Sequence, residues 1–130
     1  MRRSKFLDTI SKHLERLGFQ VQEIVNEHAF ADIAVYCNDS GKKCYIAAKG
    51  RLTFYRAYLR QNLHVAFLDN GKLYLYPHDQ LIEELKIAGA PYFNTVSWIK
   101  REGYSNPIVP QKYLHIMEKY HPSNLKNTWY

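Results

Sequence analysis

The residues best suited to chemistry are one acid and one lysine on two short apolar segments. Asp32 lies near the start of segment 31–36, and Lys49 directly follows segment 43–48. Between the segments, Asn38-Asp39-Ser40-Gly41 is a strong hairpin-turn signal, which predicts two antiparallel strands. A carboxylate is a hard oxygen ligand for divalent cations, and an ammonium group binds anions. The pattern therefore predicts a polar site where the first strand begins and the second ends.

Strand periodicity decides which side chains share that site. Side chains at 47 and 49 point to the same face because the period of a strand is two. Antiparallel pairing brings Asp32 beside the end of the second segment, so we expect Asp32 and Ala47 to face one another. Lys49 is expected on the same side of the sheet.

The elements that must position these residues alternate between helix and strand. Apolar residues recur at steps of three and four over 4–17, which predicts a helix, and short alternating or apolar runs predict strands. Asn70-Gly71 marks a tight hairpin turn. The predicted helices are 4–17, 53–62 and 78–87, and the predicted strands are 19–25, 31–36, 43–48, 65–68 and 72–76. This order predicts an α/β protein with a mixed sheet.

This layout resembles the core of the PD-(D/E)XK nucleases, the restriction-endonuclease-like superfamily. The pattern of that superfamily is an Asp on one strand and (D/E)-x-K on the next. Asp32 matches the first position and Lys49 the last, whereas Ala47 stands where the second acid is expected. The resemblance implies an αβββαβ core over about 4–87, with a mixed sheet flanked by helices.

The remainder of the chain, 88–130, is predicted to be a C-terminal extension of a single domain that spans 1–130 and to supply DNA or dimer contacts. Pro and Gly punctuate it. Segment 96–101 is predicted as a short strand or a helical turn, and 111–120 as a helix with its apolar residues on one face.

The resemblance also implies an activity, which is Mg²⁺- or Mn²⁺-dependent hydrolysis of phosphodiester bonds in DNA. The Asp32 carboxylate and the Ala48 carbonyl would then bind the metal, and Lys49 would contact the attacked phosphate. Glu15 is a further catalytic candidate, because helix acids join the metal shell in some members of the superfamily. A small domain of this kind is expected to cut duplex DNA as a homodimer or higher homo-oligomer.

Ala47 leaves three interpretations open. In the first, Ala47 is an engineered substitution for an acid, which traps an otherwise complete nuclease on its DNA. In the second, the chain is a naturally degenerate member that binds nucleic acid without cutting it. In the third, another acid, such as Glu15 or Glu23, takes over the missing role. The alternative function is therefore a non-catalytic DNA-binding or interaction module.

Charge supports an anionic partner. The chain has 18 Lys and Arg against 12 Asp and Glu, a net charge of +6, which favours nucleic acid. Arg56 and Arg60, four residues apart on the predicted helix 53–62, would form a row with Arg51 along bound DNA. Lys100-Arg101 and Arg2-Arg3 are further candidates for DNA contacts.

Other functional classes find little support. No apolar run reaches the ~20 residues of a membrane span and no signal-peptide pattern is present, so a cytoplasmic protein without membrane contacts is expected. Cys37 and Cys44 are expected to be free thiols, and no CxxC motif or zinc-like His spacing occurs. His78-Asp79 is interpreted as a helix start with Asp79 as an N-cap or first-turn acid, and not as a catalytic dyad.

Overall fold

A mixed β-sheet forms the centre of the protein, for which a computed structural model describes residues 5–36 and 43–122. Within these residues five strands form the main sheet in the order β1-β2-β3-β5-β6, and β4 and β7 form a separate two-stranded sheet. The strands are β1 (Gln20–Glu23), β2 (Ile33–Tyr36), β3 (Lys43–Ala48), β4 (Leu52–Tyr55), β5 (Leu63–Asp69), β6 (Lys72–Pro77) and β7 (Gly103–Asn106). The helices are α1 (Lys5–Arg16), α2 (His78–Ile87), α3 (Val96–Arg101) and α4 (Leu114–Met117).

The register explains why the sheet is mixed. Strands β1, β2 and β3 are antiparallel neighbours, and Ile33 of β2 lies opposite Ile46 of β3. Strands β3 and β5 are parallel, with Ala47 opposite Val65, and β5 and β6 are antiparallel. The predicted α/β class and mixed sheet are therefore confirmed.

Glycine-containing turns end two of the elements as predicted. Asn70 and Gly71 have φ values of 52° and 84°, the left-handed pair that a two-residue β-hairpin requires. Gly18 has a φ of 93°, its N–H donates to the Glu15 carbonyl at 3.0 Å, and α1 ends just before it. Local sequence is sufficient to predict both turns, because the left-handed backbone conformation is limited by steric clashes that glycine lacks.

Helices pack on the sheet through apolar stripes. In α1, Ile10 and Leu14 are fully buried, and the helix contacts β1, β3 and β5. Helix α2 has the predicted bounds and buries Leu81, Ile82 and Leu85. Segment 96–101, predicted as a short strand or a helical turn, is helical. The Thr95 hydroxyl caps this helix by accepting from the Trp98 N–H at 3.2 Å.

The helix predicted over 53–62 is wrong. That stretch begins within strand β4 and continues as a single 3-10 turn, Arg56–Tyr58. The Tyr76 hydroxyl donates to the Thr53 carbonyl at 2.7 Å and accepts from the Thr53 N–H at 3.0 Å, so a buried side chain satisfies this backbone in its extended form. The implied αβββαβ order therefore lacks its middle helix, and the specific restriction-endonuclease-like core is not established.

The helix predicted over 111–120 is broken into shorter pieces. A 3-10 turn (Gln111–Tyr113), α4 and a second 3-10 turn (Glu118–Tyr120) follow one another. Tyr113, Met117 and Tyr120 are all buried, so the predicted apolar face exists although the backbone pitch varies along it.

Some predictions fall on residues that the structure does not describe. These are the 38–41 turn, the Ser4 cap, Cys37 and the Arg2-Arg3 pair. Cys44 is a free thiol in β3. None of the helices in the described ranges combines the length and the apolar character that crossing a membrane requires.

Candidate functional site

Asp32 lies at the open end of the β2–β3 pair. Its N–H donates to the Ile46 carbonyl at 2.8 Å, and its Oδ2 accepts from the Ala48 N–H at 2.8 Å. The paired register ends with Ile33 opposite Ile46, and Asp32 directly precedes Ile33 with both its N–H and its carboxylate bonded to β3. The start of one strand thus lies beside the end of the other, as the hairpin pattern predicted.

The main chain of Ala48 faces the same end. In a strand, the N–H and C=O of one residue point to the same side, and the Ala48 N–H points to Asp32 rather than to β5. The Ala48 carbonyl is therefore directed toward the Asp32 side of β3. The flanking Lys49 N–H points the other way and donates to the Ala66 carbonyl of β5 at 2.9 Å.

Ala47 and Lys49 share the sheet face that β4 covers. Ala47 is fully buried and lies opposite Val65, which in turn lies opposite Tyr76. The Tyr76 hydroxyl binds Thr53 of β4, which identifies the face. The strand alternation continues to Lys49 through its ladder hydrogen bond, so Ala47 and Lys49 lie on one side of the sheet, while the Asp32 carboxylate binds the Ala48 N–H at the end of β3.

The Lys49 ammonium group lies between two tyrosines that sequence reasoning missed. Its Nζ is 5.5 Å from the centre of the Tyr55 ring and 5.6 Å from that of Tyr58. The two rings are 5.0 Å apart and nearly perpendicular, at 87°. Both distances are within the range of cation–π attraction.

The environment keeps Lys49 protonated. Burial is the largest single influence and lowers the pKa of Lys49, whereas a hydrogen bond with Tyr58 and the field of that phenol raise it. Tyr55 and the Asp32 carboxylate add smaller contributions in the same direction, so the pKa is raised above its ordinary value. Lys49 is therefore a cation at neutral pH and cannot serve as a general base.

His78 binds the backbone of Tyr55 next to Lys49, and both of its ring nitrogens are engaged in hydrogen bonds, so neither is available for catalysis. The Tyr55 N–H donates to His78 Nε2 at 3.1 Å, so the ring proton is on Nδ1 and is donated to Asp79 Oδ1 at 2.8 Å. Burial lowers the pKa of His78, with Asp79 opposing the shift, and the ring is neutral. The interpretation of His78-Asp79 as a structural pair agrees with these contacts.

Asp79 acts across the fold rather than as an N-cap. It is an acid of the first turn of α2, as predicted, but the residue at the N-cap position is Pro77. The Asp79 Oδ2 accepts from the Arg60 N–H at 2.8 Å and so fixes the turn that follows Tyr58.

His28 connects the segment before Asp32 to that same turn. Its Nδ1 accepts from the Phe30 N–H at 3.0 Å and the Ala31 N–H at 3.2 Å, so Nε2 carries the proton and donates to the Gln61 carbonyl at 2.7 Å. The short-range bonds to Phe30 and Ala31 close a local turn around this ring. The sequence pattern does not predict the contact of His28 with the distant Gln61.

The predicted placement of Arg56 and Arg60 on one face of a helix is wrong, because that helix does not exist. Arg51 precedes β4, Arg56 lies in the 3-10 turn, and Arg60 follows it with a left-handed φ of 64°. The Arg56 guanidinium donates to the Ile99 carbonyl at 3.3 Å, which places it against α3. Helix α3 carries the exposed Lys100 and Arg101, so tertiary structure groups Arg56 with this second predicted pair.

The residues present do not by themselves fit a divalent metal. Within the described ranges no three His, Cys, Asp or Glu side chains gather where they could hold an ion. Glu15 and Glu23 are exposed on α1 and β1 and complete no such group with Asp32. One carboxylate, one main-chain carbonyl and the methyl group of Ala47 fall short of the oxygen shell that Mg²⁺ demands.

Comparison of the chain with protein-family models, with curated proteins and with solved structures finds no match.

Proposed function

We propose that this protein has the fold and site of a metal-dependent DNA endonuclease. With Ala47 in place of the second acid, the chain binds DNA but is impaired in cutting it. The observation that carries the proposal is that the Asp32 carboxylate binds the end of β3, where its charge acts on Lys49, two residues after Ala47. A restriction-endonuclease-like core is part of the proposal, with β4 and its 3-10 turn in place of the middle helix.

The chemistry supports a phosphate ligand at this face. Lys49 is held as an ammonium group beside Asp32, and the Ala48 carbonyl is directed to the same end of β3. A carboxylate at position 47 would add the missing hard ligand, and together these groups could bind a metal that activates water. The net charge of +6 favours a polyanionic substrate.

The second candidate is a DNA-binding module without catalysis. It is favoured by the complete burial of Ala47 and by the lack of a three-ligand group in the described part of the chain. Both candidates share DNA as the partner, so binding alone does not separate them.

The discriminating experiment is the substitution Ala47→Glu. We expect it to create Mg²⁺- or Mn²⁺-dependent nicking of plasmid DNA, at a rate at least about tenfold above that of the parent chain. Ala47→Gln is the matched control, because it has nearly the same volume without the charge. Adding Lys49→Met to Ala47→Glu should abolish the gain.

Two results would decide against the enzyme. If Ala47→Glu is folded, binds DNA and cuts no plasmid with either metal, the second candidate stands. If Ala47→Gln cuts as well as Ala47→Glu, the activity does not come from a carboxylate at this position.

Homodimerisation belongs to the same proposal, because cutting both strands of a duplex takes two sites. Val96 and Ile99 lie one turn apart on α3 and are 64% and 57% exposed, so this helix presents two large apolar side chains to solvent. We place the contact between protomers at this helix, within the predicted C-terminal extension.

A further inference from the structure

We infer that Tyr55 is a stacking surface for an unpaired nucleobase of bound DNA, next to the phosphate held by Lys49. The inference rests on the DNA binding proposed above and names the class of DNA that the site prefers. That class is DNA with an unpaired nucleotide at the site, such as a flap, a bulge or a single strand, rather than continuous duplex.

The first observation is exposure beside a cation. Tyr55 is 39% exposed, whereas the neighbouring Tyr58 and Phe54 are 5% and 0% exposed. The exposed ring lies 5.5 Å from Lys49 Nζ, and Arg56 follows it directly in the chain. Cations interleaved with an exposed aromatic ring are the usual combination in sites that bind single-stranded nucleic acid.

The second observation is that neighbouring residues pack against the ring although it is exposed. The Tyr55 N–H donates to the buried His78, and the Tyr58 ring meets the Tyr55 ring edge to face. Across the β4–β7 pair, Tyr55 lies opposite Gly103. A ring fixed in advance loses little conformational freedom when a base stacks on it.

Gly103 shows how closely the ring is seated. A Cβ placed on Gly103 would lie 2.5 Å from Tyr55 Cδ1 and 2.8 Å from Cε1. These separations are too short for any side chain, so the ring occupies the space that a residue other than glycine would need. Any larger residue at 103 must displace the ring, which gives a second way to test it.

The preference for an unpaired base follows from geometry. In continuous duplex both faces of each base are already stacked, so an aromatic side chain gains nothing unless a base leaves the stack. An unpaired base offers a free face, and stacking on it is tolerant of sequence. Lys49 would hold the adjacent phosphate through its charge.

The experiment compares Tyr55→Phe with Tyr55→Leu in the full chain, without metal. Two labelled DNAs are used: a continuous duplex, and the same duplex with one unpaired 2-aminopurine. We expect the parent chain and Tyr55→Phe to bind the second DNA about tenfold more tightly than Tyr55→Leu does and to quench its fluorescence. Affinity for the continuous duplex should agree within about twofold among all three.

Gly103→Ala is the independent variant, and circular dichroism checks its folding. If Gly103→Ala is folded, its affinity for the DNA with the unpaired base and its quenching should match those of Tyr55→Leu. If it unfolds, the comparison of Tyr55→Phe with Tyr55→Leu alone tests the stacking role. Equal affinity and equal quenching for Tyr55→Phe and Tyr55→Leu would overturn the stacking role while leaving DNA binding intact. Failure of the parent chain to bind either DNA would overturn the proposed function, and the stacking role with it.

Discussion

At the scale of single residues, Asp32 has two distinct effects. Its Oδ2 accepts the Ala48 N–H and so continues the β2–β3 pairing beyond the last ladder bond, which is a structural role. Its charge also helps to raise the pKa of Lys49. The first effect needs only an oxygen acceptor, whereas the second needs a carboxylate, so the two can be separated by substitution.

We expect Asp32→Asn to keep most of the stability and Asp32→Ala to lose about 1 kcal/mol, because only alanine leaves the Ala48 N–H without its acceptor. The residue is exposed, which keeps the loss near the lower end of the range for hydrogen bonds. Urea denaturation at pH 7 measures the difference. In the Ala47→Glu background both variants should lose cleavage, because both remove the charge.

Equal destabilisation by Asp32→Asn and Asp32→Ala would show that the side-chain oxygen does not stabilise the end of β3. Cleavage that survives in Asp32→Asn would remove Asp32 from the proposed metal ligands.

At the scale of elements, β5 occupies the interior of the main sheet, between β3 and β6. His64 lies in this strand opposite Ile46 on one side and Pro77 on the other, and burial lowers its pKa to about 4. The unfolded chain has the ordinary value of about 6.5, so protons bind the unfolded state first as the pH falls.

We therefore expect stability to fall between about pH 6.5 and pH 4 by an amount on the order of 3 kcal/mol from His64 alone. Urea midpoints measured across this range for the parent chain and for His64→Gln test the expectation. His78 and the carboxylates act in both proteins, so the difference between the two curves isolates His64. Parallel curves would mean that His64 accepts a proton freely in the folded state.

At the scale of the whole molecule, positive charge is distributed over several elements. Arg51 and Arg60 lie at the ends of the segment that contains β4, while Arg56 joins Lys100 and Arg101 at α3. A surface of this kind is expected to bind DNA through phosphate contacts, each of which releases counterions.

We expect Arg56→Ala and Arg60→Ala, made singly, each to reduce the slope of log affinity against log salt by about 0.9, and the double variant by about 1.8. Lys86→Ala is the control of equal charge change, because Lys86 lies on α2 with Glu83 3.9 Å away. Fluorescence anisotropy titrations at several salt concentrations measure the slopes. An unchanged slope for one arginine would place that side chain away from the DNA.

The sequence by itself determined the features that depend on local sterics and periodicity. Asn70-Gly71 and Gly18 adopt the left-handed conformations that their turns require, and α2 has the predicted bounds. The hairpin pattern also predicted that Asp32 lies beside the end of β3, because strand pairing follows directly from a short connection. These constraints act over short stretches of the chain, where sequence patterns carry most of their information.

Only the tertiary structure decided the environment of Lys49. The stretch after Lys49 has helical spacing, yet it forms β4, because the buried Tyr76 hydroxyl binds the Thr53 backbone and β7 supplies the paired strand from about fifty residues away. That change brings Tyr55 and Tyr58 to the ammonium group and moves Arg56 to α3. Contacts between residues so distant in the chain leave no periodic signal. The sequence could therefore indicate Asp32 and Lys49, but not the two tyrosine rings between which the lysine lies.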